Sequence, residues 1–262
     1  PGDIIEGRYK FIDKIGKGAF GTVLLMEDTV VEERLILKFL NPNVAEDEEV
    51  MKRFVHELRY SRKITHQNVI RIYDFLFIRG LYAISMEYFP SHTLGGEIVN
   101  EKPVDLKRAV KFGIDIATGM AVAHQAGIVH RDIKPSNLFL RNGQVDQVTL
   151  IDFGLARRIV GGTRGSHTGA VVGTPEYMAP EQARGDRHIG SSADIFSLGC
   201  VTFECLTGQP PFISEHIAAV LAKILFEEAP SLSSILPELP ESLCRLVARM
   251  LAKNPQARIA DA

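Results

Sequence analysis

Apolar and polar positions divide the chain into a strand-like front and a helix-like back. Tyr9-Lys10-Phe11-Ile12 alternates, Thr22-Val23-Leu24-Leu25-Met26 is β-branched and apolar, and Leu35 to Leu40 is an apolar run interrupted by Lys38. From about Asp47 to Ile64 the period changes. Val50, Phe54 and Leu58 recur every four residues, the stripe of an amphipathic helix. Val69 to Tyr73 and Leu81 to Met86 return to strand character, and Glu87-Tyr88-Phe89-Pro90-Ser91 breaks it as a linker. From Asp105 onward helices dominate. Leu106 to Gln125 carries Val110, Ile114, Ala117 and Ala121 as its apolar stripe, with Asp105 as N-cap and Gly127 as stop. Ser192 to Leu206 is apolar nearly throughout and predicts a buried spine; Ile217 to Phe226 and Leu243 to Leu251 predict shorter amphipathic helices.

Between these elements lie the stretches with chemistry in them. Gly16-Lys17-Gly18-Ala19-Phe20-Gly21 sits between two strands, and its glycines would let backbone N–H groups approach phosphate oxygens. A dinucleotide-binding turn needs a helix next, and Thr22 to Leu25 is strand instead; a plain hairpin is the bland alternative. His130-Arg131-Asp132-Ile133-Lys134-Pro135-Ser136-Asn137 supplies a carboxylate, two cations and a side-chain amide, with a proline that prevents a regular helix. That is an inventory for moving a phosphoryl group. The strand-like Val148-Thr149-Leu150-Ile151 then leads into Asp152-Phe153-Gly154, followed by Gly173-Thr174-Pro175-Glu176-Tyr177 and Ala179-Pro180-Glu181. Each motif alone is weak. In this order along one chain, they resemble a eukaryotic-type protein kinase, of the Ser/Thr kind common in bacteria.

The resemblance implies an α+β, bilobal protein-kinase fold: a small antiparallel β-sheet N-lobe with one main helix over residues 1–87, and a larger, mostly helical C-lobe over 88–262. It implies transfer of the γ-phosphate of ATP, with Mg²⁺ or Mn²⁺, to Ser or Thr hydroxyls of proteins. Asp132 would take the hydroxyl proton, Lys134 would neutralise the γ-phosphate, Asn137 and Asp152 would hold the metal, and Lys38, paired with Glu57, would bind the α- and β-phosphates. Ile15, Gly16, Lys17, Gly18, Ala19, Gly21, Val23, Ile36, Met86, Glu87, Phe89 and Phe139 would surround the nucleotide. Thr174 would meet the substrate residue after the acceptor. Asp194 would hold the catalytic-loop backbone, and Glu181 would pair with Arg258. Residues 155–172 would form the activation segment, with Ser166, Thr168 and Thr163 as hydroxyls for autophosphorylation. A pseudokinase scaffold is the rival reading, and it calls for loss of Lys38, Asp132, Asn137 or Asp152; all four are present.

Two positions depart from the family pattern. Ile36 stands where alanine is usual over the adenine ring. Overpacking costs typically ~1–3 kcal/mol, and ~1.4 kcal/mol is tenfold in affinity, so ATP binding roughly ten- to a hundredfold weaker is expected. Ser61 stands where a larger apolar residue usually packs, and a second copy meeting the N-lobe is expected to complete the active position of Glu57.

Composition narrows the partners. With 45% hydrophobic and 24% charged residues and a net charge of −2, the chain lacks the basic balance of a nucleic-acid binder. It has no apolar run of ~18 residues and no signal-peptide pattern, so no membrane contact is expected of this segment. Cys200, Cys205 and Cys244 lack metal-ligand spacing and read as buried thiols of a reducing, cytoplasmic compartment, a reading compatible with a membrane anchor outside these residues. The chain opens on Pro1-Gly2 and stops at Asp261-Ala262 as another helical pattern begins, and so reads as a piece of a longer protein with a truncated C-terminus.

Overall fold

The computed structural model describes residues 2–18, 21–42, 48–142, 147–152 and 175–260, with backbone alone at 18, 48–50, 53 and 57. Ala19, Thr163, Ser166, Thr168, Thr174 and the side chain of Glu57 therefore lie outside the described residues. The chain forms two compact units, divided after Pro90.

The first unit holds a six-stranded antiparallel sheet in the order β1-β2-β3-β4-β6-β5. Its strands are β1 (Ile4–Ile5), β2 (Tyr9–Gly18), β3 (Gly21–Asp28), β4 (Glu33–Leu40), β5 (Ile72–Ile78) and β6 (Leu81–Glu87). β2 is longer than its partner β3 and absorbs the difference in two irregularities, between Phe11 and Asp13 and between Lys14 and Gly16. Gly18 pairs with Gly21 to close this hairpin. Gly21 sits at φ 151°, and a Cβ there would run into the carbonyl oxygen of Phe39, so only glycine fits.

Alternation along β4 sends Leu35 and Leu37 to one face, where they pack with Tyr9, Met26, Ile78 and Ala83. Ile36, Lys38 and Leu40 point to the other. There Leu40, Ile72 and Ile84 meet Met51, Phe54 and Leu58 of helix α1 (Glu48–Ser61). The sequence predicted a strand over Val69–Tyr73. Instead Val69 and Ile70 are buried in the approach, and β5 begins only at Ile72. Their burial serves packing without a ladder, a distinction that an apolar run does not encode.

The second unit carries a three-stranded sheet, β7-β8-β9 (Ser91–Thr93, Leu138–Arg141, Val148–Leu150). Its helices are α2 (Leu94–Glu101), α3 (Leu106–Gln125), α4 (Pro180–Ala183), α5 (Ser192–Thr207), α6 (Ile217–Phe226), α7 (Leu232–Ile235) and α8 (Glu241–Met250). α5 is buried almost continuously from Ala193 to Leu206, including Cys200 and Cys205. Burial pushes both thiols up, Cys205 to about 12, so they pack as apolar groups. At Gly199 a Cβ would come within 2.8 Å of Met250 Cβ, which shows how closely α8 crosses α5.

Asp105 caps α3 by accepting from Lys107 N and Arg108 N. The stripe predicted on α3 is corrected. Val110 and Ile114 are exposed, and Ala109, Phe112, Ile116, Met120 and Ala123 are buried instead. Both sets recur at helical spacing, and only the position of α5 decides which faces inward.

Candidate active site

α3 ends in a Schellman turn: Gly127, at φ 77°, donates to His124 O at 2.9 Å, and Ile128 N donates to Ala123 O at 2.9 Å. The turn throws the chain from the helix into the loop His130–Asn137. That loop is fixed from beneath by Asp194 in the first turn of α5. The carboxylate of Asp194 is wholly buried and accepts from His130 N and Arg131 N, each at 2.7 Å, and lies 2.8 Å from His124 Nε2. Arg131 is thereby held at φ 65°, a left-handed conformation costing an ordinary residue about 1–3 kcal/mol.

His130 is 1% exposed, and its contacts determine its tautomer. The N–H of Asp132 can only donate, so Nδ1 accepts at 3.3 Å; the carbonyl of Ile151 can only accept, so Nε2 carries the proton at 2.9 Å. Burial pushes the imidazole below its ordinary value. His130 is a neutral strut between the loop and the end of β9.

The chemistry-bearing side chains lie just beyond it. Lys134 Nζ is 2.9 Å from Asp132 Oδ2, and Asn137 Nδ2 donates to Asp132 O at 2.8 Å and to Asp132 Oδ2 at 3.0 Å. Pro135 starts a 3₁₀ turn over Pro135–Asn137 that folds the amide back onto the carboxylate. Asn137 O accepts from Ile151 N at 3.0 Å, which ties the loop to the chain just before Asp152. Asp152 is at φ 54°, another left-handed residue. Two such non-glycine residues in one site mark a backbone held against its preference.

The remaining predicted residues of this unit fall as follows. Glu181 and Arg258 form a buried bidentate pair, Nη1–Oε1 2.7 Å and Nη2–Oε2 2.8 Å. Arg258 also donates to Ser192 O at 2.7 Å and Ala252 O at 2.8 Å. Phe139 lies half-buried on β8. In the first unit, Lys38 pairs across the ladders with Val23 and Ile84, and the buried Ile36 with Leu25 and Met86. Ile15, Gly16, Lys17 and Gly18 lie on β2, with Ile15 53% exposed. Glu87 ends β6, its N–H donating to Arg71 O at 2.9 Å, and Phe89 is in the linker.

Sequence reasoning missed Gln182. Its Oε1 accepts from Ala179 N at 3.0 Å, capping α4, while its Nε2 donates to Arg131 O at 2.9 Å. It thus joins the Ala-Pro-Glu segment to the loop. A glutamine three residues into a helix is the capping signal that marks it, but its second partner is 51 residues away. Asp115 was likewise missed: it is buried on the inward face of α3, pairs with Lys111 at 2.6 Å and accepts from Val148 N at 3.1 Å, fixing β9.

Residues 9–261 match the protein kinase domain family. Among relatives, the serine/threonine-protein kinase PrkC of Bacillus subtilis is 36% identical over 97% of this chain and 39% of that protein. Pkn1 of Myxococcus xanthus is 34% identical over 97% of this chain and 37% of that protein. The chain therefore spans under half the length of these relatives. The PknI kinase domain of Mycobacterium tuberculosis superposes with a TM-score of 0.77 at 24% identity, covering 99% of this chain and 94% of that one, and shows the same fold. With a family match spanning all but its first eight residues and its last, the chain belongs to the protein kinase domain family.

Proposed function

We propose that this chain is a serine/threonine kinase domain that transfers the γ-phosphate of ATP to protein hydroxyls. The observation that carries the reading is the constellation of Asp132, Lys134 and Asn137 within hydrogen-bond distance, on a loop held by a buried aspartate. Asp132 Oδ2 accepts the proton of the attacking hydroxyl, and the ammonium of Lys134 beside it faces the charge on the transferring phosphoryl group. Lys38 holds the α- and β-phosphates, helped by Glu57 on α1. The glycines of the β2–β3 hairpin lie over the phosphates, and Ile36, Met86, Glu87 and Phe89 border the adenine.

Family membership implies ATP and a divalent metal. Asn137 fits a metal ligand: its amide nitrogen donates to Asp132 O and Asp132 Oδ2, which leaves the side-chain oxygen as the ligating atom. Among the described residues no group of three His, Cys, Asp or Glu side chains is gathered as a cage. Asn137 and Asp152 would hold the metal through their side-chain oxygens, a small all-oxygen donor set that suits Mg²⁺. When bound, the metal would neutralise charge on the phosphates.

The same reading places Thr174 beside the acceptor residue and autophosphorylation at Ser166, Thr168 or Thr163; phosphate in residues 160–174 after incubation with Mg–ATP is the expected mass-spectrometric result. It includes a second copy meeting the first unit, tested by the concentration dependence of sedimentation and activity. The free thiols of Cys200 and Cys205 suit a reducing, cytoplasmic setting. Among the described residues no helix is long and apolar enough to cross a membrane.

The decisive test is transfer of labelled γ-phosphate to the chain and to a generic basic protein, against Asp132→Asn. Removing the base is expected to cost ~10²–10⁴ in rate; an equally active variant would remove Asp132 from its assigned role.

A further inference from the structure

The peptide that joins Arg131 to Asp132 is held at both ends by side chains. Its N–H lies 3.3 Å from His130 Nδ1, and its carbonyl accepts from Gln182 Nε2 at 2.9 Å. The peptide before it is fixed by Asp194, which accepts from Arg131 N at 2.7 Å. Arg131 keeps φ 65° under these constraints, so side chains, against the backbone's own preference, set the direction in which the chain enters Asp132. His130 lies in the loop and Asp194 in the helix beneath it. Gln182 comes from a different part of the unit, the Ala-Pro-Glu segment.

Gln182 is the third residue of α4, half-buried, with both ends of its amide in use. The N–H of Ala179 faces Oε1 and the carbonyl of Arg131 faces Nε2, which fixes the orientation of the amide. The platform behind it is itself anchored. Ser197 Oγ donates to Tyr177 O at 2.7 Å, and Tyr177 Oη donates to Glu204 Oε2 at 2.7 Å. Glu181, adjacent to Gln182, is in the buried pair with Arg258. A neutral amide thus ties the peptide that carries Asp132 to the segment Pro175–Ala179, which follows Thr174.

We propose that Gln182 is a positioning residue for phosphoryl transfer. It holds the carbonyl that precedes the base and so aims Asp132 relative to the segment that meets the acceptor residue. The role rests on the kinase reading above. Because Gln182 acts through Asp132 and not on a substrate, its loss falls on kcat and spares KM. Capping α4 is the competing account of the same side chain, and two substitutions separate the two. Gln182→Glu keeps an oxygen for Ala179 N, as a glutamate in a capping box does, and sets its other oxygen against Arg131 O, acceptor against acceptor. Gln182→Met removes both bonds at similar length.

The assay is transfer of labelled γ-phosphate to the generic basic protein, with kcat and KM measured separately. In both variants kcat is expected to fall roughly ten- to a hundredfold, with KM for ATP and for the protein within about twofold of the parent. In Gln182→Glu the amides of Ala179 and of α5 exchange hydrogen as in the parent, while the Asp132 amide exchanges about tenfold faster as its peptide loosens. Should Gln182→Met lose its fold, Gln182→Glu still decides. Parent-like kcat in Gln182→Glu, a loss confined to KM, or an unaltered Asp132 amide would each overturn the proposal. Hydrogen exchange needs no turnover. A parent chain that fails to transfer phosphate, with the Asp132 amide released by the glutamate, upholds the hold on the loop and overturns the kinase reading alone.

Discussion

Replacing Asp194 by asparagine is the sharpest test of how this loop is held. The side chain changes by a single group, yet its three hydrogen bonds at 2.7, 2.7 and 2.8 Å rely on two acceptor oxygens. Asparagine offers one. Whichever way the amide turns, its nitrogen faces the N–H of either His130 or Arg131, donor against donor. The loss is at least one hydrogen bond to a charged group, ~1.5–3 kcal/mol, together with a buried N–H left unmade at ~1–3 kcal/mol. Roughly 3–5 kcal/mol is expected, a large part of the ~5–15 kcal/mol that stabilises a typical domain. Arg131, no longer held at φ 65°, should relax and move Asp132 with it. A displacement near 1 Å is enough to cost about 10²-fold in rate. Urea unfolding followed by far-UV circular dichroism and by tyrosine fluorescence measures the first effect, two probes being needed because the chain has two compact units. Phosphate transfer measures the second. Stability within ~0.5 kcal/mol of the parent, or full transfer in a destabilised variant, would refute the argument that this carboxylate sets the loop.

Two further outcomes follow from buried polar groups. Arg258→Met leaves Glu181 charged and unpaired at 4% exposure and strips donors from Ser192 O and Ala252 O. It is expected to cost ~3–5 kcal/mol, more than Glu181→Gln, which keeps an acceptor for the guanidinium; the reverse order in denaturant midpoints would contradict the geometry. For His130, burial depresses the folded-state pKa, so between that value and ~6.5 the unfolded chain binds the extra proton. Its contribution to stability is complete above ~6.5 and is lost as pH falls, with a slope of at most ~1.4 kcal/mol per pH unit. His130→Gln should flatten that part of the stability profile, and an unchanged slope would show that the ring titrates freely.

The order of motifs was legible in the sequence because each needs a particular residue type at a particular place. Gly21 is glycine because Phe39 O occupies the space of a side chain, and the apolar density of Ser192–Leu206 announced a helix buried on all sides. Local rules also located the cap at Asp105 and the stop at Gly127, since helix ends are satisfied by neighbours in the chain. What the tertiary structure alone decided involves partners far away in sequence. It chose the Phe112–Ile116–Met120 face of α3 over the Val110–Ile114 face, although both have helical spacing. It fixed His130 as a neutral strut by setting a carbonyl 21 residues away against one ring nitrogen. It recruited Gln182 and Asp115 into the support of the loop. Periodicity reports which residues can share a face; which face is buried, and which polar groups meet there, depends on where other elements dock.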